Sequence, residues 1–224
     1  MNAAQLMIYG LSIPKTIYFN IRCFDLKTAV RLPVFIAYNV RCRHLKRGVI
    51  KVPDGAKRFR IAIGFNGTED IPSGKTRINL DSGSIIFRGS CSLASGCRVS
   101  VSNNGLIEFG NNFGANKNFF ISCNSHTVFG DDVLIGWNVT FFDANGHPVF
   151  HHGVQKDNAK PICIGDHVWI GSESNILKGT VIPPNSIIAY GSLVANRLEE
   201  ENAVYGGNPA KKIQDDIRWE YRFR

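Results

Sequence analysis

Branched aliphatic residues recur at every sixth position over the C-terminal part of the chain. These positions are Ile164, Ile170, Ile176, Ile182, Ile188 and Val194. A six-residue period matches neither the 3.6-residue period of an α-helix nor the two-residue period of a plain strand. It predicts a coil with three flat faces, each built from one short strand and one turn, in which inward residues stack in columns along the axis.

The same step of six runs through the middle of the chain, with Asn103 as its polar exception. The positions are Ile85, Cys91, Cys97, Asn103, Phe109, Ala115 and Ile121, and after a slip of two residues the pattern resumes at Phe129, Ile135 and Phe141. Turns between faces favour Gly, Asn and Asp, and pairs such as Gly130-Asp131 and Gly165-Asp166 meet that need. A β-sandwich of short strands is the alternative, but it does not require a fixed six-residue step.

The two ends of the chain do not follow the repeat. We expect helix and irregular structure over residues 13–45, because the open end of a coil exposes strand edges that need a cap. Residues 48–84 are expected to form irregular early coils, and residues 215–224 a short charged helix. The predicted organisation is a basic N-terminal cap segment over 1–47, a β-helix over 48–200 with an inserted loop at 143–161, and a C-terminal tail over 201–224.

Charge is concentrated near the N-terminus. Residues 1–60 hold 12 Lys and Arg but 2 Asp and Glu, whereas the whole chain of 224 residues has a net charge of +8. A basic segment of this kind favours contact with an anionic membrane surface or an acidic glycan. No signature of nucleic-acid binding accompanies it, so nucleic acid is not an expected partner.

Two further features bear on where the protein works. No apolar run approaches the roughly 20 residues that a membrane-spanning helix needs, and residues 1–14 lack the features of a signal peptide. The six cysteines include no Cys-x-x-Cys pair, and two of them, Cys91 and Cys97, fall on inward positions of the repeat. We therefore expect a cytoplasmic protein with buried free thiols, peripheral at the inner membrane face if its basic segment binds there.

The regular step breaks after Phe141. It should next reach position 147, yet the periodic run resumes at Ile164, so about seventeen residues are inserted. Within this insertion, His147 stands between Gly146 and Pro148, which restrict where the imidazole can lie. An imidazole titrates near neutral pH and is able to accept a proton from a hydroxyl group. His147 is therefore a candidate general base, and a solvated loop histidine is the alternative.

Two segments resemble the hexapeptide-repeat acyltransferases. Residues 161–172 read Pro-Ile-Cys-Ile-Gly-Asp-His-Val-Trp-Ile-Gly-Ser, and residues 207–211 read Gly-Asn-Pro-Ala-Lys. The resemblance covers roughly residues 80–213. It implies an all-β fold, a left-handed parallel β-helix, which is an exception to the usual right-handed crossover. It also implies acetyl-CoA as co-substrate, no metal, and homotrimers with active sites between subunits.

The resemblance also implies roles for particular residues. Sugar O-acetyltransferases of the galactoside and maltose type carry Gly-His-Pro-Val before the Pro-Ile segment, and their general base corresponds to His147. Asn116 matches an acceptor-binding asparagine of that family. Asn124 stands where the family has an acceptor-binding aspartate, and this departure leaves the acceptor open, because an amide donates hydrogen bonds as well as accepting them.

The donor side is implied in the same way. Trp169 and Ser172 match the tryptophan and serine that face the thioester, although Trp169 is equally well read as a core residue. Tyr190 takes the place of a residue whose backbone amide binds the pantetheine arm. Lys211 matches a basic residue near the CoA phosphates, and Lys178 is a looser candidate for the same role.

The resemblance predicts direct transfer of an acetyl group from acetyl-CoA to a sugar hydroxyl. The basic N-terminal segment favours, as the acceptor, a bacterial surface polysaccharide (capsule, exopolysaccharide or O-antigen) or its precursor. Alternatives within the transferases are an N-acetyltransferase for a nucleotide-linked amino sugar and a xenobiotic acetyltransferase. More distant ones are a zinc carbonic-anhydrase-like site built from His147, His152 and His126, and an inactive scaffold.

Overall fold

The computed structural model describes residues 3–221. Two helices, α1 (Ala3–Cys23) and α2 (Leu26–Ala29), precede a long series of short strands. The strands are β1 (Val34–Ile36), β2 (Arg41–Arg43), β3 (Ile50–Lys51), β4 (Ile61–Ile63), β5 (Arg77–Leu80), β6 (Ser84–Phe87), β7 (Cys91–Leu93), β8 (Arg98–Val101), β9 (Leu106–Phe109), β10 (Phe113–Ala115), β11 (Phe120–Cys123), β12 (His126–Phe129), β13 (Leu134–Ile135), β14 (Thr140–Phe142), β15 (Phe150–His151), β16 (Val154–Gln155), β17 (Ile162–Ile164), β18 (Trp169–Ile170), β19 (Asn175–Leu177), β20 (Val181–Ile182), β21 (Ile187–Ile188), β22 (Leu193–Val194), β23 (Val204–Gly207) and β24 (Ala210–Gln214).

Apart from the antiparallel pair β15 and β16, the strands form three parallel sheets that make the three faces of one coil. The first face has the strand order β1-β4-β7-β10-β13-β18-β21-β23-β24, in which the last pair is antiparallel. The second face is β2-β5-β8-β11-β14-β19-β22, and the third is β3-β6-β9-β12-β17-β20. Each turn of the coil therefore adds one strand to each face, and the predicted left-handed parallel β-helix is confirmed.

The predicted columns of inward residues form the core. All six aliphatic residues of the C-terminal run are buried, and so are the small polar residues Ser174, Thr180, Ser186 and Ser192. On the third face, the rings of Phe87, Phe109 and Phe129 stack at 5.4 Å between successive centroids. Burying one such aliphatic or aromatic side chain contributes about 1.5–3 kcal/mol, so the columns supply most of the driving force for coiling.

The polar exception at Asn103 comes from a change in coil length. Ile85 pairs with Ile107 and Ile107 with Thr127, so these early coils take 22 and 20 residues, whereas Ile164 pairs with Ile182 in a coil of 18. The additional residues lie in turns, and Asn103 is exposed in one of them with a φ of 52°. An asparagine tolerates this left-handed conformation better than most residues do.

The β-helix begins earlier than position 48. β1 pairs in register with β4 (Val34 with Ile61), and β2 pairs with β5, so the first coil starts at Val34. The boundary expected at residue 47 therefore does not mark a change of structure, and the cap is α1 and α2. The sequence of the early coils does not show the six-residue step, because long turns separate their strands.

The cap closes the exposed edge of β1 with polar side chains of α1. Thr16 Oγ1 accepts a hydrogen bond from Ile36 N (3.1 Å). Asn20 Oδ1 accepts one from Val34 N (3.2 Å), and Asn20 Nδ2 donates one to Val34 O (2.7 Å). Ser12 Oγ accepts from Tyr38 N at 3.1 Å. These three residues, spaced by four, share one face of the helix and serve as the next strand for β1. Across residues 3–221, no helix has the combination of length and apolar character needed to cross a bilayer.

The short C-terminal helix expected over 215–224 is wrong for the described residues. β23 and β24 form an antiparallel hairpin, and the chain then runs without helix to residue 221, while residues 222–224 lie outside the described range. The ring of Trp219 stacks on His167 at 4.1 Å, and its Nε1 donates to the carbonyl of His167 at 3.0 Å. A helix of about ten residues is marginal alone, and these contacts favour an extended path instead.

The expectation of buried free thiols holds for four of the six cysteines. All six are unpaired, and Cys23, Cys91, Cys97 and Cys123 are buried, whereas Cys163 is exposed. Burial raises the pKa of the Cys97 thiol to about 12. Cys163 lies on the outward side of β17, between the inward Ile162 and Ile164.

Candidate functional site

One edge of the coil, between the first and second faces, is lined by side-chain amides. This edge, here named the asparagine corner, consists of residues 116–118, 136–138 and 171–173 on three successive coils. Asn118 Nδ2 donates to Asn138 Oδ1 (2.9 Å), and Asn138 Nδ2 donates to Glu173 Oε1 (2.7 Å). Backbone bonds from Asn116 N to Ile135 O (2.9 Å) continue the stacking. The corner is therefore cross-linked both by its backbone and by its side chains.

The predicted acceptor residue Asn116 is already engaged in this corner. Its Oδ1 accepts from Thr68 N at 3.0 Å and from Lys117 N at 2.8 Å, and its Nδ2 donates to Thr68 Oγ1 at 2.8 Å. Thr68 belongs to the long turn after β4. The amide of Asn116 thus holds that turn against the coil.

A cavity of about 760 Å3 lies on the outer side of the first face, next to the asparagine corner. Asn116 and Trp169 both line it, together with the turn at 65–68 and the C-terminal residues 219–221. Gly114 provides part of the space, because a Cβ atom there would lie 2.6 Å from Tyr221 Oη. Trp169 is 40% exposed on this outer side, so its interpretation as a core residue is wrong.

Three of the predicted cofactor residues follow the same edge toward the C-terminal end of the coil. Ser172 is 8% exposed, and its Oγ accepts a hydrogen bond from Trp137 N at 3.1 Å. Gly191 N donates to Ser172 O at 2.9 Å, so Tyr190, with its side chain exposed, lies on the adjacent coil. Lys211 is exposed on β24 and lies opposite Gly206 of β23 in the C-terminal hairpin.

The long loop leaves the coil at a different edge, between the second and third faces. This edge, here named the loop corner, consists of residues 124–125, the base of the loop at Asp143 and Lys160, and Lys178. The buried carboxylate of Asp143 accepts from Asn124 N at 2.7 Å and from Ser125 N at 2.9 Å. Lys160 N donates to Asp143 O at 2.9 Å, which closes the base of the loop.

His147 is exposed in this loop, which is extended by the hairpin of β15 and β16. Lys178 Nζ donates to the main-chain carbonyls of Asp157 (2.5 Å) and Asn158 (3.4 Å), so its ammonium group supports the loop. The amide of Asn124 is also at this corner, where its Oδ1 accepts from Asn103 Nδ2 at 3.0 Å. The structure thus places His147, Asn124 and Lys178 near one edge.

The structure does not bring His147 together with the residues of the asparagine corner. Strands of the second face separate the two corners, and β11 alone, with four residues, spans about 13 Å. No residue of the loop at 143–161 lines the cavity that contains Asn116 and Trp169. Within one chain, the predicted site residues therefore form two separate groups. His147 and Asn124 lie at the loop corner. Asn116 and Trp169 lie at the cavity beside the asparagine corner.

The three histidines of the zinc alternative are not grouped as metal ligands. Among residues 3–221, no group of three or more His, Cys, Asp or Glu side chains is placed to hold a metal ion. His126 lies on β12, where its Nε2 is 2.8 Å from Glu108 Oε1. His152 lies in the loop hairpin, with a φ of 49°.

Sequence reasoning missed two features of these corners. Asp143 is the first, although a signal was present: it follows Phe141 by two positions, on the inward side of the strand, where a charged residue is unexpected. The second is the wall that Trp219 and Tyr221 contribute to the cavity. No periodic pattern in the last residues of the chain indicates that wall.

The comparisons with known proteins agree with this architecture. No model of a known protein family matches the chain. The chain is 41% identical to galactoside O-acetyltransferase of Escherichia coli (strain K12) over 112 residues. These residues are 49% of this chain and 54% of that protein. The chain therefore spans about half the length of that relative.

A second relative is matched over more of its length. The "Putative lipopolysaccharide biosynthesis O-acetyl transferase WbbJ" of Escherichia coli (strain K12) is 30% identical over 143 residues, which are 59% of this chain and 72% of that protein. The crystal structure of the polySia specific acetyltransferase NeuO superimposes with a TM-score of 0.52 and 22% identity, over 83% of this chain and 85% of that one. The latter supports the fold. With the repeat, the three-faced coil and the extent of the second match, the chain belongs to the hexapeptide-repeat acyltransferase family.

Proposed function

We propose that this protein transfers an acetyl group from acetyl-CoA to a sugar hydroxyl, with His147 as the general base. The observation that carries this proposal is the loop at 143–161, which lifts an exposed His147 out of an otherwise regular coil. The buried carboxylate of Asp143 fastens the base of that loop. An exposed imidazole on a fastened loop is suited to receive a proton from a docked hydroxyl group.

The proposed reaction is a direct transfer. His147 takes the proton of the acceptor hydroxyl while the oxygen attacks the thioester carbonyl carbon, which gives a tetrahedral intermediate. The carbon–sulfur bond then breaks, and the imidazolium returns the proton to the departing sulfur of CoA. No covalent intermediate on the protein is required, so positioning and proton transfer carry most of the rate.

The donor would lie along the edge marked by Ser172, Tyr190 and Lys211. Because Ser172 Oγ accepts from Trp137 N, its position is fixed while its own hydrogen stays available for the thioester oxygen. One such donor contributes roughly 3 kcal/mol when it contacts the developing oxyanion. Lys211 would contact the CoA phosphates. Lys178 is withdrawn from this role, because its ammonium group is bonded to carbonyls of the loop.

The separation of the two corners supports a homotrimer in which neighbouring chains share each active site. His147 of one chain would then serve the asparagine corner of the next. A cyclic arrangement repeats the same contact around the axis, so every loop would meet one such corner. The trimer is proposed on this geometry and on the family resemblance.

The proposed acceptor is a negatively charged surface polysaccharide or its precursor. Arg41, Arg77 and Arg98 stand in register on β2, β5 and β8, on the outer side of the second face, on the coils that precede the two corners. Among the described residues these arginines take part in no ion pair, and Arg98 lies over the ring of Phe120 at 4.5 Å. Like charges one strand apart repel unless an anion lies across them, so this ladder favours an acidic chain. The names of the two Escherichia coli relatives, a galactoside and a lipopolysaccharide O-acetyltransferase, support a sugar acceptor.

The proposal is tested by offering acetyl-CoA with neutral and acidic oligosaccharides and detecting acetylated products by mass spectrometry. We expect O-acetylation, with acidic acceptors preferred and Arg77→Gln raising the KM for them more than for neutral ones. Transfer only to amines would replace the O-acetyltransferase proposal with an N-acetyltransferase. Equal KM values for Arg77→Gln and the unchanged chain would refute the acidic acceptor.

A further inference from the structure

Helix α1 turns its apolar side away from the rest of the protein. Six large apolar residues of this side are each more than 40% exposed: Leu6, Met7, Leu11, Ile17, Tyr18 and Ile21. These residues are here named the apolar face. A contiguous exposed apolar surface of this kind marks an interaction site, whereas apolar residues that are exposed singly are common and need no such explanation.

The cause lies on the opposite side of the same helix. Ser12, Thr16 and Asn20 are fully buried and are bonded to the backbone of β1. The edge strand needs polar partners, so the polar side of α1 must face the coil and the apolar side must face outward. The exposure of the apolar face is therefore built into the fold.

The helix also has a defined orientation. Ser12, Thr16 and Asn20 contact residues 38, 36 and 34 in turn, so α1 runs antiparallel to β1 and lies across the first coil. Strands of this fold run across the coil axis. The apolar face therefore points out of the N-terminal end of the coil, along its axis. An amphipathic helix that lies parallel to a membrane surface presents its apolar side in this way.

Basic residues line a groove beside this helix. The groove has a volume of about 300 Å3, and its walls include Lys15, Arg22, His44 and Lys46, here named the basic groove. None of these four residues takes part in an ion pair within residues 3–221. An apolar helix face bordered by unpaired basic side chains is the arrangement that anionic phospholipids complement.

We propose that α1 is an interfacial anchor: its apolar face enters an anionic phospholipid surface, and its basic groove contacts lipid phosphates. Charge argues against a second copy of this chain as the occupant. Residues 1–60 carry 12 basic and 2 acidic residues, so pairing two such surfaces would bring like charges together. The anchor goes beyond the proposed acetyl transfer and does not depend on it.

The test is co-sedimentation of the full chain with vesicles of phosphatidylcholine alone and of phosphatidylcholine with phosphatidylglycerol. We expect binding to the anionic vesicles that weakens with added salt. The double variant Leu11→Ser/Tyr18→Ser should lower the partition coefficient roughly tenfold or more. Arg22→Gln and Lys46→Gln should each lower it roughly fivefold. These four side chains are exposed, so the folded state should tolerate their replacement.

Matched controls lie at the other end of the molecule. Ile213→Ser removes an apolar side chain that is 64% exposed, and Arg197→Gln removes an exposed basic one; both should bind vesicles as the unchanged chain does. Absence of binding to anionic vesicles would overturn the proposal, and so would equal binding by the Leu11/Tyr18 variant. A further outcome is that the unchanged chain binds no vesicles and analytical ultracentrifugation shows its oligomer dissociating in the Leu11/Tyr18 variant. The apolar face is then a subunit contact instead. Loss of vesicle binding with acetyl transfer intact, or the reverse, separates this proposal from the proposed function.

Discussion

The asparagine corner and the loop corner are two edges of the same coil, but they are held together differently. The asparagine corner is cross-linked at every coil, with the amides of Asn118 and Asn138 bonded in series. The loop corner is held by the buried carboxylate of Asp143, by the backbone bond from Lys160 to Asp143 and by Lys178, and from it the chain departs into an exposed hairpin. The residues assigned to the donor lie on the coil at the first edge, and the proposed base lies on the loop that extends from the second.

This difference suggests how the fold divides its tasks. A thioester bound along a regular edge needs fixed hydrogen-bond partners, because misplacing the reacting carbonyl lowers the rate steeply. A base that serves a neighbouring chain needs reach, which a loop provides and a coil does not. The two corners also differ in what their loss should cost, and the following changes probe that contrast.

The largest effect is expected for the proposed base. His147→Ala should lower turnover by roughly 10²–10⁴-fold, because no other group would take the hydroxyl proton, and CoA affinity should change little. The measurement is steady-state transfer with a working acceptor, together with CoA titration. His151→Ala, an exposed histidine of the same loop, is the control and should keep near-normal turnover. Similar turnover in both variants would remove His147 from the mechanism.

The next effect concerns the base of the loop. Asp143→Asn keeps one acceptor oxygen and loses the charge, so one of the two backbone N–H groups, of Asn124 or Ser125, loses its partner. The free energy of unfolding should fall by about 2–4 kcal/mol, measured by urea denaturation. Asp157→Asn, in the exposed part of the same loop, should change it by less than about 0.5 kcal/mol. If the two variants were equally stable, the buried carboxylate would not fasten the loop corner.

A pH effect is expected from a thiol that is bonded to the asparagine corner from the preceding coil. Cys97 Sγ donates to Asn116 O at 3.3 Å, and burial raises the pKa of this thiol from 9.0 to about 12. The unfolded chain ionises this thiol above pH 9 while the folded chain does not, so its contribution to stability is complete below pH 9 and declines as pH rises. The native chain should lose up to about 1.4 kcal/mol per pH unit relative to Cys97→Ala between pH 9 and 12. A stability difference that is constant over that range would contradict burial of the thiol.

The smallest effect is expected within the amide series. Asn138→Ala removes two side-chain hydrogen bonds at a half-buried position, so the free energy of unfolding should fall by about 1 kcal/mol. Because Asn138 is neutral and half-buried whereas Asp143 is charged and fully buried, the effect should be smaller than that of Asp143→Asn, under the same urea denaturation. A larger loss for Asn138→Ala would reverse the comparison of the two corners.

The sequence was sufficient for the coil and for the position of the loop. A six-residue step of aliphatic residues has few physical solutions, and the break after Phe141 stands out against it. It was not sufficient for side chains whose role depends on distant contacts. Lys178 resembled a phosphate ligand but bonds to loop carbonyls, and Asn116 holds the turn at Thr68.

The ends of the chain were the least predictable for a related reason. The polar residues Ser12, Thr16 and Asn20 are spaced as a helix face, but only the unpaired edge of β1 determines that this face is buried. Likewise, Trp219 adopts an extended path because His167 offers a ring to stack on. Neither partner is close in sequence, so no local pattern indicates the contact.

The central claim is that His147 of one chain serves the asparagine corner of its neighbour. It is tested most directly by co-expressing His147→Ala chains with Ser172→Ala chains and measuring acetyl transfer by the mixed oligomers. If subunits mix at random and sites are shared, roughly a quarter of the sites combine an intact His147 with an intact Ser172, and turnover should recover to about that fraction of the unchanged protein. Turnover no higher than that of the more active parent variant would contradict the account.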